Sequence, residues 1–213
     1  MKELELILPE VSTNGSLPTM QLPDADQYNY WNLYNNHILT IDGEITDWDY
    51  NIVKSIININ MQEANKPSEW VKPIILLINS YGGSLDVSYN IVDTISASVV
   101  PVWTVNMGNA LSGGCFIFLA GEKRFCMENS WAMAHSGSGG ISGGYNETKE
   151  AAKVWDQQVK NMHEYIRTRI NMDAKTYGKY KNKDWYLNAD QQIEFGFATD
   201  KLESFNQILR VER

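Results

Sequence analysis

The stretch VVPVWTVNMGNALSGGCFIFLA, residues 99–120, decides how this chain folds. Its first part is β-branched and aromatic, which predicts a buried strand over 99–106. Ser112 follows between a small polar run and two glycines, and the apolar run Cys115–Ala120 predicts a helix. This order holds a hydroxyl at a helix N-terminus beside backbone N–H groups, which suits an acyl-transfer nucleophile. Taken alone, however, Ser112 is more commonly explained as an N-cap or a small core residue.

The composition describes an acidic globular protein of ordinary hydrophobicity. At 213 residues, with 43% hydrophobic and 21% charged residues, the chain suits one domain with a sizeable core. A formal net charge of −8 and the lack of a basic stripe argue against a nucleic-acid partner. No apolar run is long enough to span a membrane, and acidic residues in MKELELILPE argue against an export signal.

The cysteines and histidines give no sign of a metal or a disulfide. Cys115 and Cys126 stand in apolar surroundings, which predicts buried free thiols in a reducing, cytoplasmic compartment. No Cys/His cluster has metal-ligand spacing, and no GxxxxGK[ST] phosphate loop occurs. We therefore expect no metal and no cofactor.

Strands and helices alternate along most of the chain. Residues 1–27 predict an irregular arm, and residues 28–213 predict the folded domain. The expected strands are His37–Ile41, ended by an Asp42-Gly43 turn, then 73–79, 99–106, 124–127 and 131–135. Ser80–Ser84 predicts a tight glycine turn. Strands that alternate with helices predict right-handed crossovers and a parallel sheet.

Helical periodicity predicts two helices with well-defined apolar faces. The first helix follows Thr46-Asp47. The residues expected on its buried face are Ile52, Val53, Ile56, Ile57 and Met61. The second runs from about 146 to 170, after the glycine-rich segment 137–144, with apolar residues from Ala152 to Ile170 at threes and fours. Such a stripe packs either in the core of its own domain or against another subunit.

Three short motifs follow strands that a parallel sheet brings to one edge. The Gly82-Gly83 turn ends one strand, Ser112 follows the next, and His135 ends WAMAH. A serine needs a base to become a nucleophile, and histidine is the usual base at neutral pH. A lone histidine at a strand end is nevertheless more often structural, so the residues alone indicate either a serine hydrolase or an acyl-binding site.

Several motifs in the right order resemble the ClpP family of self-compartmentalised serine peptidases. INSYGGSLDVSYNIVDTI and MGNALSGGCFIFLAGEKRFCMENSWAMAH are similar to the family patterns INSPGGS and MGxAxSxGxxLLxAGxKxxRxxxPNSxxMxHQP. KDWYLNADQQIEFGFATD is similar to RDxxLSAxEAxEYGLVD. The resemblance covers residues 37 to 203, and it outweighs the structural explanations of Ser112 and His135.

The resemblance assigns roles position by position: nucleophile Ser112, general base His135, triad carboxylate Asp184, and oxyanion-hole N–H groups on Gly83 and Gly113. The chemistry of these residues agrees with the assignment. A glycine lets backbone approach the substrate carbonyl, and the amide after the nucleophile lies where negative charge develops. Asp173 and Asp190 are rival carboxylates by composition, but neither occupies the motif position.

The resemblance also implies the fold and the assembly. The implied fold is the α/β spiral of ββα units shared by ClpP and crotonases, with a protruding handle over about 137–170. The implied assembly is a homo-oligomer of heptameric rings stacked as a tetradecamer, whose chamber degrades unfolded proteins or peptides. An AAA+ unfoldase usually feeds such a chamber, and any ATP use would belong to that partner.

Four departures from the family pattern indicate a divergent member, of a kind that suits a phage genome. Tyr81 replaces the family proline, Ser136-Gly137 replaces Gln-Pro after the base, and Asn182-Lys183 lacks the usual acid. The first 30 or so residues do not match the axial loop. We expect Ser136-Gly137 to loosen the chain after His135.

Two other functions stay open at this point. The altered Tyr81 and Ser136-Gly137 positions fit a catalytically silent or scaffold ring subunit. A crotonase-like acyl-CoA enzyme would share the fold and the paired-amide oxyanion hole, but Ser, His and Asp at all three triad positions argue against it.

Overall fold

A computed structural model describes residues 24–67, 70–137 and 140–209. Its elements follow one another in this order: α1 (Ala25–Asn35), β1 (Ile38–Ile45), α2 (Tyr50–Glu63), β2 (Ile74–Gly83), α3 (Leu85–Ala97), β3 (Val102–Leu111), α4 (Gly113–Ala120), β4 (Lys123–Cys126), β5 (Trp131–Ala134), α5 (Tyr145–Arg169), α6 (Ala174–Tyr177), β6 (Trp185–Leu187), α7 (Ala189–Glu194), β7 (Asp200–Lys201) and α8 (Asn206–Leu209). Of these helices, none is both long enough and apolar enough to cross a membrane.

The predicted parallel sheet is confirmed. Strands β1, β2, β3, β4 and β7 lie side by side in that order, and each neighbouring pair is parallel. The long strand β3 also pairs with β5 near its C-terminal end, and β5 pairs antiparallel with β6. This branch brings three chain segments to the C-terminal edge of the sheet, where functional sites of parallel sheets lie.

The core lies on both faces of the sheet. Ile74, Leu76 and Ile78 of β2 belong to the larger cluster, which the helices cover. Ile75 belongs to a smaller cluster on the other face, with residues of β3 and β4. Strand β2 is therefore buried from both sides, as its continuous apolar run predicts. Helix α4 is buried along its length from Gly113 to Leu119, so the sheet and the other helices hold its N-terminus firmly.

Two predicted turns are parts of strands. Strand β1 continues through Asp42-Gly43 to Ile45, with a bulge after Gly43, whose φ is +85°. Strand β2 continues through the expected glycine turn to Gly83. The physical reason is the ladder between them, because Gly82 and Gly83 pair with Glu44 and Ile45 and keep both segments extended.

The buried face of α2 is rotated from the predicted one. Ile52, Val53 and Ile56 are buried as expected, but Ile57 and Met61 are exposed. The elements packed on α2, namely α3 and β1, cover the side that carries Ile59 instead. Thr46 caps a 3₁₀ turn, Asp47–Asp49, and the α-helix begins only at Tyr50.

The predicted arm lies mostly outside the described residues, which begin at residue 24. Asp24 accepts a hydrogen bond from the Gln27 backbone N–H and caps α1, so the last residues of the predicted arm already belong to a helix. The boundary at residue 27 stays a prediction for the part before Asp24.

The long helix α5 packs on its own domain through its C-terminal half only. Met162 and Ile166 are buried, whereas Ala152 is exposed. The Tyr165 hydroxyl donates to the Phe116 carbonyl, and the Arg169 guanidinium donates to three carbonyls at the end of α4. Helix α5 is thus fastened directly to α4, the helix that follows Ser112.

Candidate active site

Ser112 lies at the junction of β3 and α4 in a strained backbone conformation. Its φ is +54° and its ψ is −120°, a region that L-residues rarely adopt. Ser112 occupies the N-cap position, yet its side chain makes no capping hydrogen bond. The hydroxyl is therefore directed away from the helix backbone, which does not support the N-cap explanation of this serine.

His135 meets Ser112 because of the register between β3 and β5. Leu111 pairs with Met133 in parallel, so the residues just beyond the two strands lie side by side. The Ser112 backbone N–H donates to the Met133 carbonyl at 2.9 Å. His135 Nε2 lies 2.7 Å from Ser112 Oγ, and the His135 side chain is only 16% exposed. The hydroxyl can donate its proton to Nε2, which leaves the ring proton on Nδ1.

Asp184 meets His135 because of the antiparallel pairing of β5 with β6. Ala134 pairs with Trp185, and the next residues along the ladder are His135 and Asp184. Asp184 Oδ1 lies 3.8 Å from His135 Nδ1, and its side chain is 69% exposed. This separation exceeds the N–H···O range of about 2.7–3.2 Å, so the two groups are adjacent without a formed hydrogen bond.

The end of β2 that contains the predicted Gly83 lies against Ser112 through Gly82, the residue before it. A Cβ on Gly82 would lie 2.6 Å from Ser112 Cβ and 3.0 Å from the Gly113 nitrogen. A Cβ on Gly83 would lie 2.2 Å from the Ile45 carbonyl oxygen, because β1 packs directly on this turn. The end of β2 that contains Gly83 and the helix start that contains Gly113 therefore lie next to each other beside Ser112.

A cleft of about 490 Å³ opens in front of Ser112. One side is formed by Glu44 and the β2 end from Tyr81 to Gly83. The other side is largely apolar and comes from α4 and α5: Phe116, Trp155, Val159 and Met162. Part of the apolar stripe of α5 thus lines the cleft of its own chain, a use that the sequence analysis did not foresee.

The other candidate groups near the site are engaged elsewhere or uncharged. Burial raises the pKa of the Cys115 thiol to about 12, so it stays protonated at neutral pH and is not a nucleophile. Asp173 caps α6, and hydrogen bonds from Thr176 hold the pKa of its carboxyl below the ordinary value. Asp190 pairs with Lys201 at 2.7 Å. Neither rival carboxylate lines the cleft.

The residues after His135 are tied down, contrary to the loosening predicted for Ser136-Gly137. Ser136 Oγ donates to the Lys181 carbonyl at 3.0 Å and lies 3.3 Å from His163 Nε2. His163 Nδ1 lies 2.8 Å from the Tyr177 hydroxyl. The sequence analysis did not single out His163 or Tyr177. His163 is a polar residue beside the apolar stripe of α5, and Tyr177 lies in a segment without a motif.

Within the described residues, no group of three or more His, Cys, Asp or Glu side chains is arranged to hold a metal ion.

Comparison with known proteins gives one consistent match. The Clp protease family profile matches residues 24–204. ATP-dependent Clp protease proteolytic subunit 1 of Rhodopirellula baltica is 32% identical over 174 residues, which cover 80% of this chain and 74% of that protein. ATP-dependent Clp protease proteolytic subunit 2 of Treponema denticola is 30% identical over 168 residues, 78% of this chain and 81% of that protein.

The fold comparison agrees. A point mutant of ClpP1 from Listeria monocytogenes superimposes with a TM-score of 0.71 at 23% sequence identity, covering 85% of this chain and 99% of that one. The predicted ClpP-type α/β fold is thereby confirmed. Because the family profile spans most of the chain and the relatives are matched over most of their lengths, this chain belongs to the Clp protease family.

Proposed function

We propose that this chain is a serine endopeptidase of the ClpP type. The observation that carries the proposal is the 2.7 Å contact between Ser112 Oγ and His135 Nε2, at a strained strand-to-helix junction that faces a cleft. A hydroxyl in contact with an imidazole acceptor is the arrangement that nucleophilic catalysis by serine requires.

The proposed reaction proceeds through an acyl-enzyme. Ser112 Oγ attacks the scissile carbonyl carbon while its proton passes to His135 Nε2. The Gly83 and Gly113 N–H groups donate hydrogen bonds to the oxyanion that forms. His135 then gives the proton to the leaving amine as the C–N bond breaks. A water molecule attacks the ester, its proton passes through Nε2 to Ser112 Oγ, and the carboxylic acid product leaves.

Asp184 completes the proposed site by orienting His135. When the carboxylate moves from 3.8 Å to hydrogen-bond distance, it accepts a hydrogen bond from the Nδ1–H group and stabilises the imidazolium that forms during the reaction. The exposed position of Asp184 leaves room for this movement. We propose that assembly of the rings closes the distance, since the carboxylate is held by a short segment between α6 and β6.

The proposed substrates are unfolded polypeptides that reach the cleft in an extended conformation. The apolar wall formed by α4 and α5 favours an apolar side chain next to the scissile bond. We propose that the chains form heptameric rings stacked as a tetradecamer in the cytoplasm, with an AAA+ unfoldase as partner. The exposed N-terminal half of α5, including Tyr145 and Val154, supports a contact between rings.

Covalent labelling tests the proposed nucleophile. A fluorophosphonate is expected to add once to the wild type, at Ser112, and Ser112→Ala is expected to carry no adduct. Light scattering on the same samples measures assembly. A folded, assembled wild type that gains no adduct and cleaves no unstructured peptide would contradict the proposal.

The 3.8 Å gap at Asp184 favours one second candidate, a catalytically silent ring subunit. The two candidates differ in the effect of Asp184→Asn. For an active peptidase, loss of the orienting carboxylate lowers kcat on the order of 10³–10⁴-fold. The matched control is Asp190→Asn, which removes a carboxylate bound to Lys201 instead, and its kcat is expected to stay near that of the wild type. A silent subunit shows no Ser112-dependent hydrolysis in any of these proteins.

A further inference from the structure

We infer that His163 of α5 is a positioning residue for the active site, because it hydrogen-bonds the residue after His135 and also Tyr177 of α6, the helix that precedes the segment carrying Asp184. The inference rests on the proposed function. It concerns which residues hold the base and the carboxylate in place, rather than which residues react.

Three hydrogen bonds form one continuous chain through His163. Ser136 Oγ lies 3.0 Å from the Lys181 carbonyl oxygen and 3.3 Å from His163 Nε2. His163 Nδ1 lies 2.8 Å from the Tyr177 hydroxyl oxygen. The four residues come from four separate places: the end of β5, helix α5, helix α6 and the segment before β6.

The direction of each hydrogen bond follows from the groups involved. A carbonyl oxygen only accepts, so Ser136 must use its single proton on Lys181. The Ser136 oxygen then accepts from His163 Nε2–H, which places the ring proton on that nitrogen. His163 Nδ1 is left as an acceptor for the Tyr177 hydroxyl. Each polar hydrogen in the chain therefore has one partner when His163 is neutral, whereas a charged ring would donate from Nδ1–H to the Tyr177 hydroxyl oxygen instead.

The surroundings of His163 favour the neutral ring. Burial, followed by the nearby positive charge of Lys181, lowers the pKa of His163 below its ordinary value. The described residues around the same small pocket that can titrate are His135, Tyr177, Tyr180 and Lys181, and none of them is a carboxylate. No group there offers a negative charge to stabilise an imidazolium.

The chain of hydrogen bonds connects directly to the reacting groups. Ser136 is bonded covalently to His135, and Lys181 stands three residues before Asp184. Tyr180, beside Lys181, stacks on Trp185 with ring centroids 4.5 Å apart, so a shift at Lys181 is passed on to the residue after Asp184. The separation between His135 Nδ1 and Asp184 Oδ1 therefore depends on the Ser136–Lys181 hydrogen bond and on His163, which holds the Ser136 hydroxyl in place for that bond and joins it to Tyr177 of α6.

Helix α5 holds His163 in a fixed position relative to the nucleophile. On the same helix, Tyr165 and Arg169 donate hydrogen bonds to carbonyls of α4, the helix that begins directly after Ser112. His163 thus relates the positions of His135 and Asp184 to the helix at whose start the nucleophile lies. A residue that only filled space at this position would not need both ring nitrogens bonded.

The test compares His163→Leu with His163→Gln in the assembled full-length protein. Leucine removes both hydrogen bonds. Glutamine keeps an N–H donor that can reach Ser136 Oγ. We expect His163→Leu to lower kcat for a short peptide on the order of 10–100-fold with little change in KM, because a misplaced catalytic group affects the reaction more than binding. His163→Gln is expected to recover most of kcat.

Controls separate positioning from folding and from the proposed chemistry. Glu164→Gln alters an exposed neighbour on α5 and is expected to leave kcat unchanged. Ser136→Ala breaks the same link from its other end, so it is expected to lower kcat similarly. It is expected to add nothing further in combination with His163→Leu. Ser136→Ala also serves if His163→Leu fails to fold.

Each outcome either supports or overturns the inference. A loss of kcat in every one of the variants His163→Leu and Ser136→Ala that folds, with recovery in His163→Gln, supports it. An active wild type whose kcat is unchanged by His163→Leu or by Ser136→Ala overturns it and leaves the proposed function standing. A His163→Gln variant no better than a folded His163→Leu also overturns it. A wild type without Ser112-dependent labelling or hydrolysis overturns the proposed function first and this inference with it.

Discussion

Replacing Gly82 with alanine tests whether the close packing of the glycine turn on Ser112 matters for catalysis. Gly82 has a φ of +96°, and a Cβ placed there would lie 2.6 Å from Ser112 Cβ. It would also lie 2.9 Å from the Leu111 carbonyl oxygen. Backbone on both sides of Ser112 leaves no flexible side-chain end that could move away.

The expected magnitude follows from these distances. Ordinary contact begins at 3.4 Å, so Ser112 and residue 82 must separate by about 0.8 Å. A displacement of about 1 Å in a catalytic group can cost on the order of 100-fold in rate. The positive φ adds a backbone cost of about 1–2 kcal/mol for any residue with a Cβ. Gly82→Ala should therefore lose both stability and kcat.

Gly43→Ala is the matched control. Gly43 has a similar φ of +85°, but a Cβ there would meet nothing within 4 Å. The control carries the same kind of backbone strain without moving Ser112. Its unfolding midpoint should fall by about 2–4 °C for each kcal/mol, whereas its kcat should stay near that of the wild type.

The assay is steady-state hydrolysis of a short fluorogenic peptide, with thermal unfolding measured on the same preparations. Gly82→Ala should show a kcat about 100-fold below that of Gly43→Ala. A folded Gly82→Ala protein with a kcat within about threefold of the control would refute the reasoning, because Ser112 would then tolerate the displacement.

Three further predictions concern buried groups. Burial raises the pKa values of Cys115 and Cys126 to about 12 and about 11. Neither thiol should therefore react with a thiol reagent at pH 8 until the protein unfolds. Rapid modification of the native protein would contradict this prediction. His163 has a pKa lowered from 6.5, so its contribution to stability is present above about pH 6.5 and lost as the pH falls through the folded-state pKa. Denaturant unfolding of His163→Gln should accordingly depend less on pH in that acidic range than unfolding of the wild type. Gln192 is fully buried, and its side-chain amide forms hydrogen bonds with Asn106, Ser130 and Leu187. Gln192→Leu leaves these groups unpaired and should lower the free energy of unfolding, measured with denaturant, by about 2–4 kcal/mol. A decrease under about 1 kcal/mol would show that these groups find other partners.

The sequence predicted most of the elements because their signals are local. The run 73–79 is continuously apolar, and β2 forms there with both faces buried. The run Cys115–Ala120 is continuously apolar after two glycines, and helix α4 forms there, buried from Gly113 to Leu119. Signals of this kind depend on neighbours within a few residues, so they can be interpreted without knowledge of the rest of the fold.

The errors arose where a distant segment changes the local outcome. Asp42-Gly43 is a typical turn pair, yet the ladder to β2 keeps it in a strand. Ile57 fits the helical period of α2, yet it is exposed while Ile59 is buried, because α3 and β1 pack on the other side of the helix. The pair Ser136-Gly137 predicts a loose connection, whereas Ser136 forms hydrogen bonds with His163 and Lys181, which lie 27 and 45 positions further along the chain. No local pattern reports such partners.

The sequence by itself determined that Ser112 stands between a strand and a buried helix, and its motifs named His135 and Asp184 as partners before any coordinates were known. Only the tertiary structure decided how these groups meet. Two strand pairings bring them together. The pairing of β3 with β5 places His135 Nε2 at 2.7 Å from Ser112 Oγ, and the pairing of β5 with β6 places Asp184 Oδ1 at 3.8 Å from His135 Nδ1. The reason is that pairing between distant segments sets the strand register and the hydrogen-bond partners. The residues near one position in the sequence do not specify which distant segment pairs with them.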